Sequence, residues 1–382
     1  MFSTIFNFEL KRWFKNPSFY IFLVLFFAIS FFFAAINFGA FDSLTASRPT
    51  NAYANSPSAL NGFINGMNLF IYFLLPIIVG SSVYRDFRYN MHTILFSYPF
   101  TKLDYIAGKF LSSLFVVTLI ALTIILGIET AKILPWANED LLVPFNVFAY
   151  FQIYFIYVIP NLFFIGVLIF GLVTITRNIS IGFIGVILVF VTQIILSSFT
   201  EDSDNRYIIA LWEPFGSEAS GYYTKYWTVA EQNENLLPFE GVIIYNRLIW
   251  LSISLVLLGF IYRYFSFTQT ALTIGKSRRN DREVKNNFGG ISRIVMPKVT
   301  FDFSNWQKFK TAWRLSNIDF KFIIKNWAFI IIAIVGLLFL LLLSVTAGSI
   351  FGTKTYPVTW QMLEIPGTFF SFFINILTFL FT

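Results

Sequence analysis

The chain has 382 residues, of which 57% are hydrophobic and only 12% are charged, and its formal net charge is +7. Soluble domains carry roughly 25% charged residues, so this composition indicates a polytopic membrane protein rather than a soluble one. Cysteine is absent, which excludes disulfides and thiolate metal sites, and the single histidine, His92, excludes a zinc site of the HExxH type. We therefore expect neither a metal nor another cofactor.

The first 15 residues predict an amphipathic helix. Apolar side chains recur at helical spacing on one side, and polar side chains lie on the other. Such a helix lies along the membrane surface, with its tryptophan inward and its lysines toward the headgroups. The interfacial residues that we single out are Phe6, Leu10, Lys11, Trp13 and Lys15. The alternative is an ordinary charged flank; a cleaved signal peptide is disfavoured because the next apolar run is about 20 residues long.

Eight apolar runs have the length of a membrane-crossing helix. They cover residues 18–38, 63–83, 106–128, 148–175, 179–196, 248–265, 327–347 and 363–381. The fourth run is over-long and contains Pro160, which predicts a kink or a tilt at that point. The sequence therefore predicts an all-α polytopic membrane protein.

Lysine and arginine are distributed unevenly between the two sides that these runs define. The connections on one side are rich in Lys and Arg, whereas the long connection at residues 200–245, on the other side, is acidic. Cytosolic loops carry an excess of Lys and Arg. The pattern therefore predicts a multi-pass membrane protein with a cytosolic N-terminus. We expect its location to be the inner (cytoplasmic) membrane.

Ionisable side chains are almost absent from the middle of the predicted spans. Glu129 and Lys132, at the outer end of the third span, are one helical turn apart, and we expect them to pair locally rather than relay protons. Asn161 and Gln193 are interpreted as helix–helix contacts rather than substrate ligands. The sequence also contains no phosphate-binding loop, so any active transport would take its energy from a partner.

The connection at residues 84–109 combines charges, a proline-containing turn and a helix start. Thr101 and Asp104 have the [ST]-x-x-[DE] spacing of a capping box. The connection keeps apolar residues, and we expect Phe87 and Leu95 to be exposed and to contact another protein. The residues assigned to this contact are Tyr84, Arg85, Asp86, Phe87, Arg88, Leu95 and Pro99.

The outer segment, residues 200–245, is too apolar for a solvated linker. A loop of this length without structure would be uncommon, so we expect one or two short helices on the outer membrane surface. Trp212 and Trp227 would lie at headgroup depth and, with Phe215, would form an outer cap. Two interpretations stay open: a lid over the exit of a pathway, and an interfacial cap that only stabilises the span ends.

A short internal repeat divides the chain. Residues 15–27 and 325–337 share a Lys-Asn doublet followed by an apolar run, and an amphipathic stretch precedes each. We therefore predict a first module of six spans at residues 1–266, a basic cytosolic linker at 267–308, and the start of a second module at 309–382 that continues in a longer polypeptide. The linker charges are interpreted as a topology signal that attracts anionic lipid, because nothing in the linker predicts nucleic-acid binding.

The order of a surface helix, a span, an outer loop, a second span and a charged cytosolic connection resembles the permease (membrane subunit) of type-2 ABC transporters. In the connection the matching residues are Tyr84-Arg85-Asp86 and, after the turn, Pro99, Tyr105, Gly108 and Lys109. The outer segment is similar to a Bacteroidetes-type subgroup whose long forms carry two permease modules and a zinc aminopeptidase-like domain. That similarity rests on Glu213-Pro214-Phe215-Gly216, Trp227-Thr228-x-x-Glu231-x-Asn233 and Asn246-Arg247-Leu248-x-Trp250.

The resemblance implies a six-helix type-2 ABC permease module with an N-terminal interfacial elbow helix. It also implies that residues 84–99 form a coupling helix, which seats on a separate ABC ATP-binding subunit. The other implied partners are membrane lipids and a second permease module or subunit. ATP hydrolysis would belong to the partner chain, so this chain is not expected to be an enzyme. The implied function is the substrate pathway of an exporter; the alternative is a non-transport membrane scaffold that anchors an extracytoplasmic enzyme or assembly.

Overall fold

A computed structural model describes residues 1–40, 53–135, 137–200, 206–267 and 304–325, with a few positions between 329 and 354. The helices in these ranges are α1 (Phe2–Lys15), α2 (Pro17–Asn37), α3 (Pro57–Arg88), α4 (His92–Leu95), α5 (Lys102–Lys132), α6 (Val147–Thr176), α7 (Ile179–Thr200), α8 (Arg206–Trp212), α9 (Ser217–Thr224), α10 (Val229–Glu234), α11 (Gly241–Tyr264) and α12 (Asn305–Ile324). A 3₁₀ turn covers Glu139–Leu141, and the two-residue strands β1 (Ser349–Ile350) and β2 (Thr353–Lys354) pair antiparallel.

Five helices in the described part of the chain are long and apolar enough to cross a membrane: α2, α3, α5, α6 and α11. They coincide with five of the six spans predicted for the first module, and the chain is a helical, multi-pass membrane protein. The predicted span 179–196 coincides with α7, whose described apolar part, Ile179–Gln193, is shorter than the five. The two spans predicted after residue 326 lie largely outside the described residues.

Two helix boundaries are defined by capping contacts, one of them the predicted start at Thr101. Asn16 ends α1 and also caps α2, because its Oδ1 accepts a hydrogen bond from Ser18 N at 3.0 Å. Pro17 then occupies the first turn of α2, where its missing N–H leaves no bond unmade. At the start of α5, Asp104 N donates to Thr101 Oγ1 at 3.2 Å and Thr101 N donates to Asp104 Oδ2 at 3.1 Å, which is the predicted capping box.

Two spans contain a π-helical turn next to a proline. In α3 the turn is Pro76–Gly80, and in α6 it is Tyr154–Val158, immediately before the turn that contains Pro160. Proline has no N–H to donate to the carbonyl one turn earlier, so the helix widens locally to keep its remaining bonds. The irregularity expected from Pro160 is present, whereas the one at Pro76 was not predicted.

Helices α5 and α6 lie at the centre of the bundle. Helices α1 and α2 pack on α5, and α7 and α11 pack on α6. Close approach depends on glycine: a Cβ at Gly127 of α5 would collide with Ser30 of α2, and a Cβ at Gly171 of α6 would lie 2.8 Å from Ile261 of α11. We call the end of the bundle that carries α1 and α4 the α1 end, and the end that carries α8, α9 and α10 the cap end.

Candidate functional site

Charged side chains meet at the α1 end, where α1, α3 and α5 converge. Glu9 of α1 and Lys109 of α5 are each 2% exposed, and Asp86 of α3 is 5% exposed. The Nζ of Lys109 lies 2.7 Å from Glu9 Oε1 and 2.8 Å from Asp86 Oδ2. It also donates a hydrogen bond to the carbonyl of Ser82 at 2.8 Å. The three N–H groups of the ammonium therefore have three acceptors.

Three further groups surround the two carboxylates. Arg12 Nη1 lies 2.9 Å and Arg85 Nη2 lies 3.3 Å from Glu9 Oε2. The hydroxyl of Tyr105 donates to Asp86 Oδ2 at 2.8 Å. Burying charge costs several kcal/mol per ion unless the charge is paired and hydrogen-bonded. We call Glu9, Arg12, Arg85, Asp86 and Lys109 the α1-end cluster, which joins three helices. Its three buried charges, Glu9, Asp86 and Lys109, are paired and hydrogen-bonded, whereas Arg12 is an ion-pair partner of Glu9 whose Nη1 and Nη2 make no hydrogen bond.

The face of α1 that carries Glu9 is buried against the bundle. Ile5, Glu9 and Trp13 are spaced by four residues and face the protein, where a Cβ at Gly108 of α5 would lie 2.9 Å from Ile5 Cγ2. Phe8, on another face, is 67% exposed. Of the predicted interfacial residues, Trp13 is buried, Phe6 and Leu10 are half-buried, and Lys11 and Lys15 are exposed. Sequence reasoning missed Glu9, although a charged residue within an apolar stripe was the available signal.

The inward side of the connection between α3 and α5 is packed with aromatic rings. Phe96 lies 4.7 Å from Phe267 and 5.8 Å from Tyr105 between ring centroids. The ring of Phe87 lies 4.9 Å from that of His92 and is covered by the guanidinium of Arg177, whose Cζ is 3.9 Å from the ring centroid. These contacts hold α4 against α3, α5 and the chain that follows α11.

The outward side of the same connection is apolar and exposed. We call it the α4 patch, and it consists of Tyr89, Met91, Ile94 and Tyr98, which are 63%, 48%, 58% and 62% exposed. Exposed apolar residues that stand together at one end of a bundle are typical of a surface that contacts another molecule.

The residues predicted for this contact fall into three groups. Arg88 and Pro99 are exposed; Tyr84, Arg85, Phe87 and Leu95 are half-buried; and Asp86 is buried. The structure thus differs from the expectation that Phe87 and Leu95 are exposed, and for Phe87 the reason is its cover by Arg177 and His92. Helix α3 continues to Arg88, so its period turns Asp86 inward to Lys109 and away from any partner.

A different arrangement buries Arg247 of α11 at the cap end, where it is 6% exposed. Its Nη1 donates to Asn161 Oδ1 at 2.7 Å, its Nη2 to the carbonyl of Pro214 at 3.2 Å, and its Nε to Asn246 Oδ1 at 3.0 Å. Asn161 Nδ2 in turn donates to the carbonyl of Phe215 at 2.9 Å. The predicted role of Asn161 as a contact between elements is confirmed, since it ties α6 to α11 and to the cap.

Glu213 is fully buried in the same region, which we call the cap-end cluster, Asn161, Glu213, Asn246 and Arg247. Its Oε1 accepts from Phe215 N at 2.8 Å and its Oε2 from Glu218 N at 3.3 Å. Burial raises the pKa of Glu213 above its ordinary value, and the charge of Arg247 offsets only part of this effect. Gly216 has a φ of +80°, and a Cβ there would collide with the guanidinium of Arg247, so this position requires glycine.

The outer segment forms three short helices, α8, α9 and α10, where one or two were expected. Of the predicted cap residues, Phe215 is buried and stacks on Tyr72 at 5.2 Å between centroids, Trp227 is half-buried, and Trp212 is 54% exposed. Near the cap end, the predicted pair of Glu129 and Lys132 is present at 2.7 Å. The cap is therefore a packed part of the bundle.

The α1-end cluster is suited to hold helices together rather than to transform a substrate. Lys109, Glu9 and Asp86 direct their polar atoms at one another and at main-chain and tyrosine partners. Among the described residues, no group of three or more His, Cys, Asp or Glu side chains is placed to hold a metal ion. In comparisons with models of known protein families and with curated protein sequences, nothing matched the chain.

Proposed function

We propose that the chain is the membrane-spanning permease subunit of an ABC-type exporter, which forms the substrate pathway and is driven by a separate ATP-binding subunit. The observation that carries the proposal is the α4 patch, in which four apolar side chains are exposed at a charged end of a membrane-spanning bundle. An apolar centre with a polar rim is the usual composition of a contact with a soluble protein.

The contacts beneath the patch support the same function. Through Phe96 and His92, α4 packs on α5 and α3, and both of these helices are long enough to cross the membrane. A movement imposed on α4 by a docked ATPase would therefore act directly on two spans. Lys109 joins the same two helices to α1, so α1 would move with them.

Charge and exposure support a cytosolic α1 end in the inner membrane. Lys11, Lys15 and Arg88 are exposed at that end, as the excess of Lys and Arg in cytosolic segments requires. The exposed rings of Phe8 and Phe14 suit a position of α1 in the plane of the membrane surface. Exposed apolar faces on α2 and α11 suit lipid or a second permease module.

The test makes the same change, isoleucine to arginine, once at each end of the bundle and in separate variants. Ile94 of the α4 patch is 58% exposed and Ile133, just after α5, is 82% exposed. We expect Ile94→Arg to abolish co-purification of a nucleotide-binding protein from native membranes, whereas Ile133→Arg leaves it unchanged. Photolabelling with an azido-ATP analogue and mass spectrometry identify the protein. The proposal fails if wild type brings down no ATP-binding protein, or if Ile94→Arg retains it fully.

One observation favours the scaffold alternative. Trp212 and Tyr226 of the cap are 54% and 81% exposed, which offers an aromatic surface on the side opposite the α4 patch. A scaffold would retain an extracytoplasmic protein through this surface, and the retained protein would bind no nucleotide. Tyr226→Glu would then release the partner while Ile94→Arg would not, which is the reverse of the pattern expected for the permease.

A further inference from the structure

An apolar groove opens between α5, α6 and α11 near the α1 end of the bundle. The groove has a volume of about 150 Å³, and its lining includes Leu103, Ile106, Phe110, Phe163, Leu258 and Tyr262. At its base Ile106 and Phe110 are 5% and 2% exposed, whereas Leu103 and Tyr262 at its rim are 63% and 48% exposed. The groove is therefore open to the surroundings of the bundle, which in a membrane are lipid.

The shape of the groove suits one linear chain. Its residues on α5, from Leu103 to Leu111, recur at three- and four-residue spacing, so the groove follows that helix for about 12 Å at 1.5 Å per residue. A volume of about 150 Å³ is that of an apolar cavity that holds one benzene-sized molecule. A helix, about 10–12 Å wide, does not fit such a space, but a few methylene groups of an acyl chain do.

Each of the two rim residues has a basic neighbour in the sequence. Lys102 precedes Leu103 at the first position of α5, and Arg263 follows Tyr262 in the last turn of α11; Lys102 is half-buried and Arg263 is exposed. Both side chains are long enough to reach the headgroup region from a helix end. The carboxylate of Asp104 accepts hydrogen bonds from the backbone N–H and the hydroxyl of Thr101, at 3.1 and 2.8 Å, and keeps its negative charge. Lys102, Arg263 and Asp104 together therefore carry a net charge of +1. The rim therefore favours an anionic ligand.

We propose that this groove binds an acyl chain of an anionic phospholipid from the leaflet at the α1 end, with Lys102 and Arg263 facing its phosphate. The apolar base supplies affinity for the chain, and the two cations supply selectivity for the headgroup. The site does not involve the α4 patch or an ATPase, so it stands or falls separately from the proposed function.

The test measures the lipids that the protein retains. Protein is reconstituted in nanodiscs of equal parts phosphatidylglycerol and phosphatidylcholine, released into detergent, and analysed by native mass spectrometry. We expect one phosphatidylglycerol per chain in wild type. Ala107→Phe, which fills the half-buried groove position, should lose it, whereas Ala28→Phe, the same change at an exposed position of α2, should not.

The headgroup is tested by removing charge without altering the groove. In K102Q/R263Q, the preference for phosphatidylglycerol over phosphatidylcholine should fall about fivefold for each charge removed. Arg88→Gln, at an exposed position of the same end, should leave the preference unchanged. Equal retention of the two lipids by wild type, or full retention by a folded Ala107→Phe variant, would overturn the proposal. If Ala107→Phe does not fold, an unchanged preference in K102Q/R263Q overturns it alone.

Discussion

The two ends of the bundle both bury charge, but they compensate it with different partners. In the α1-end cluster, the ammonium of Lys109 lies between the carboxylates of Glu9 and Asp86, so full charges neutralise one another. In the cap-end cluster, the guanidinium of Arg247 donates to two side-chain amides and a main-chain carbonyl, while Glu213 accepts from two main-chain N–H groups.

This difference indicates where each cluster is vulnerable. Ion pairs depend on the presence of both charges, since the loss of one partner leaves the other buried and uncompensated. A guanidinium held by neutral acceptors depends instead on geometry, because its planar N–H groups need acceptors in fixed positions. The α1-end cluster should therefore be most sensitive to charge removal, and the cap-end cluster to changes of side-chain shape that keep the charge.

The largest effect is expected from Lys109→Met. The substitution keeps an apolar stem but leaves Glu9 and Asp86 without the cation that joins them, which costs about 3–5 kcal/mol. Denaturant unfolding of the detergent-solubilised protein measures this loss. The matched change Lys132→Met removes a partly exposed pair with Glu129 and should cost no more than about 1 kcal/mol. Equal losses in the two variants would show that the α1-end cluster gains nothing from its burial.

A smaller effect is expected from Arg247→Lys, which keeps the charge. An ammonium cannot reproduce the three directions in which Arg247 bonds Asn161, Pro214 and Asn246. The loss of one such charged hydrogen bond corresponds to about 2 kcal/mol. The reciprocal change Lys109→Arg keeps the charge at the other end and serves as the comparison. If Arg247→Lys unfolds at the same denaturant concentration as wild type, geometry does not govern the cap-end cluster.

Local sequence signals predicted the fold better than they predicted the clusters. The helix boundaries at Asn16 and at Thr101 depend on neighbours within three residues, and five spans depend on continuous apolar runs. Glu9 and Lys109, in contrast, are 100 residues apart, and only the packing of α1 on α5 brings them together. The sequence pointed to Arg247 only through the resemblance to a family, because the burial of Arg247 depends on the loop that carries Glu213 and Pro214.

The smallest expected effects concern the pH dependence of stability at two glutamates of the cap. The pKa of one is changed mainly by burial and that of the other mainly by hydrogen bonds. Burial raises the pKa of Glu213, whereas the hydrogen bonds from Thr228 lower the pKa of the exposed Glu231, which caps α10. In unfolded chains the pKa of Glu is about 4.3. Native protein therefore binds the proton of Glu213 more tightly than unfolded protein does, so stability falls as pH rises above that value.

At Glu231 the sign is reversed, because its folded pKa is lower. The contribution of its carboxylate to α10 is present above pH 4.3 and is lost as pH falls through the lowered pKa. In wild type, Glu213 should make cap stability fall as pH rises, and Glu213→Gln should remove this fall. At lower pH, Glu231 should make cap stability rise with pH, and Glu231→Gln should remove this rise. Hydrogen exchange of the amides of α9 and α10, corrected at each pH for the intrinsic exchange rate, measures both changes in stability. The same pH dependence in both variants would mean that burial does not set the charge preference of Glu213.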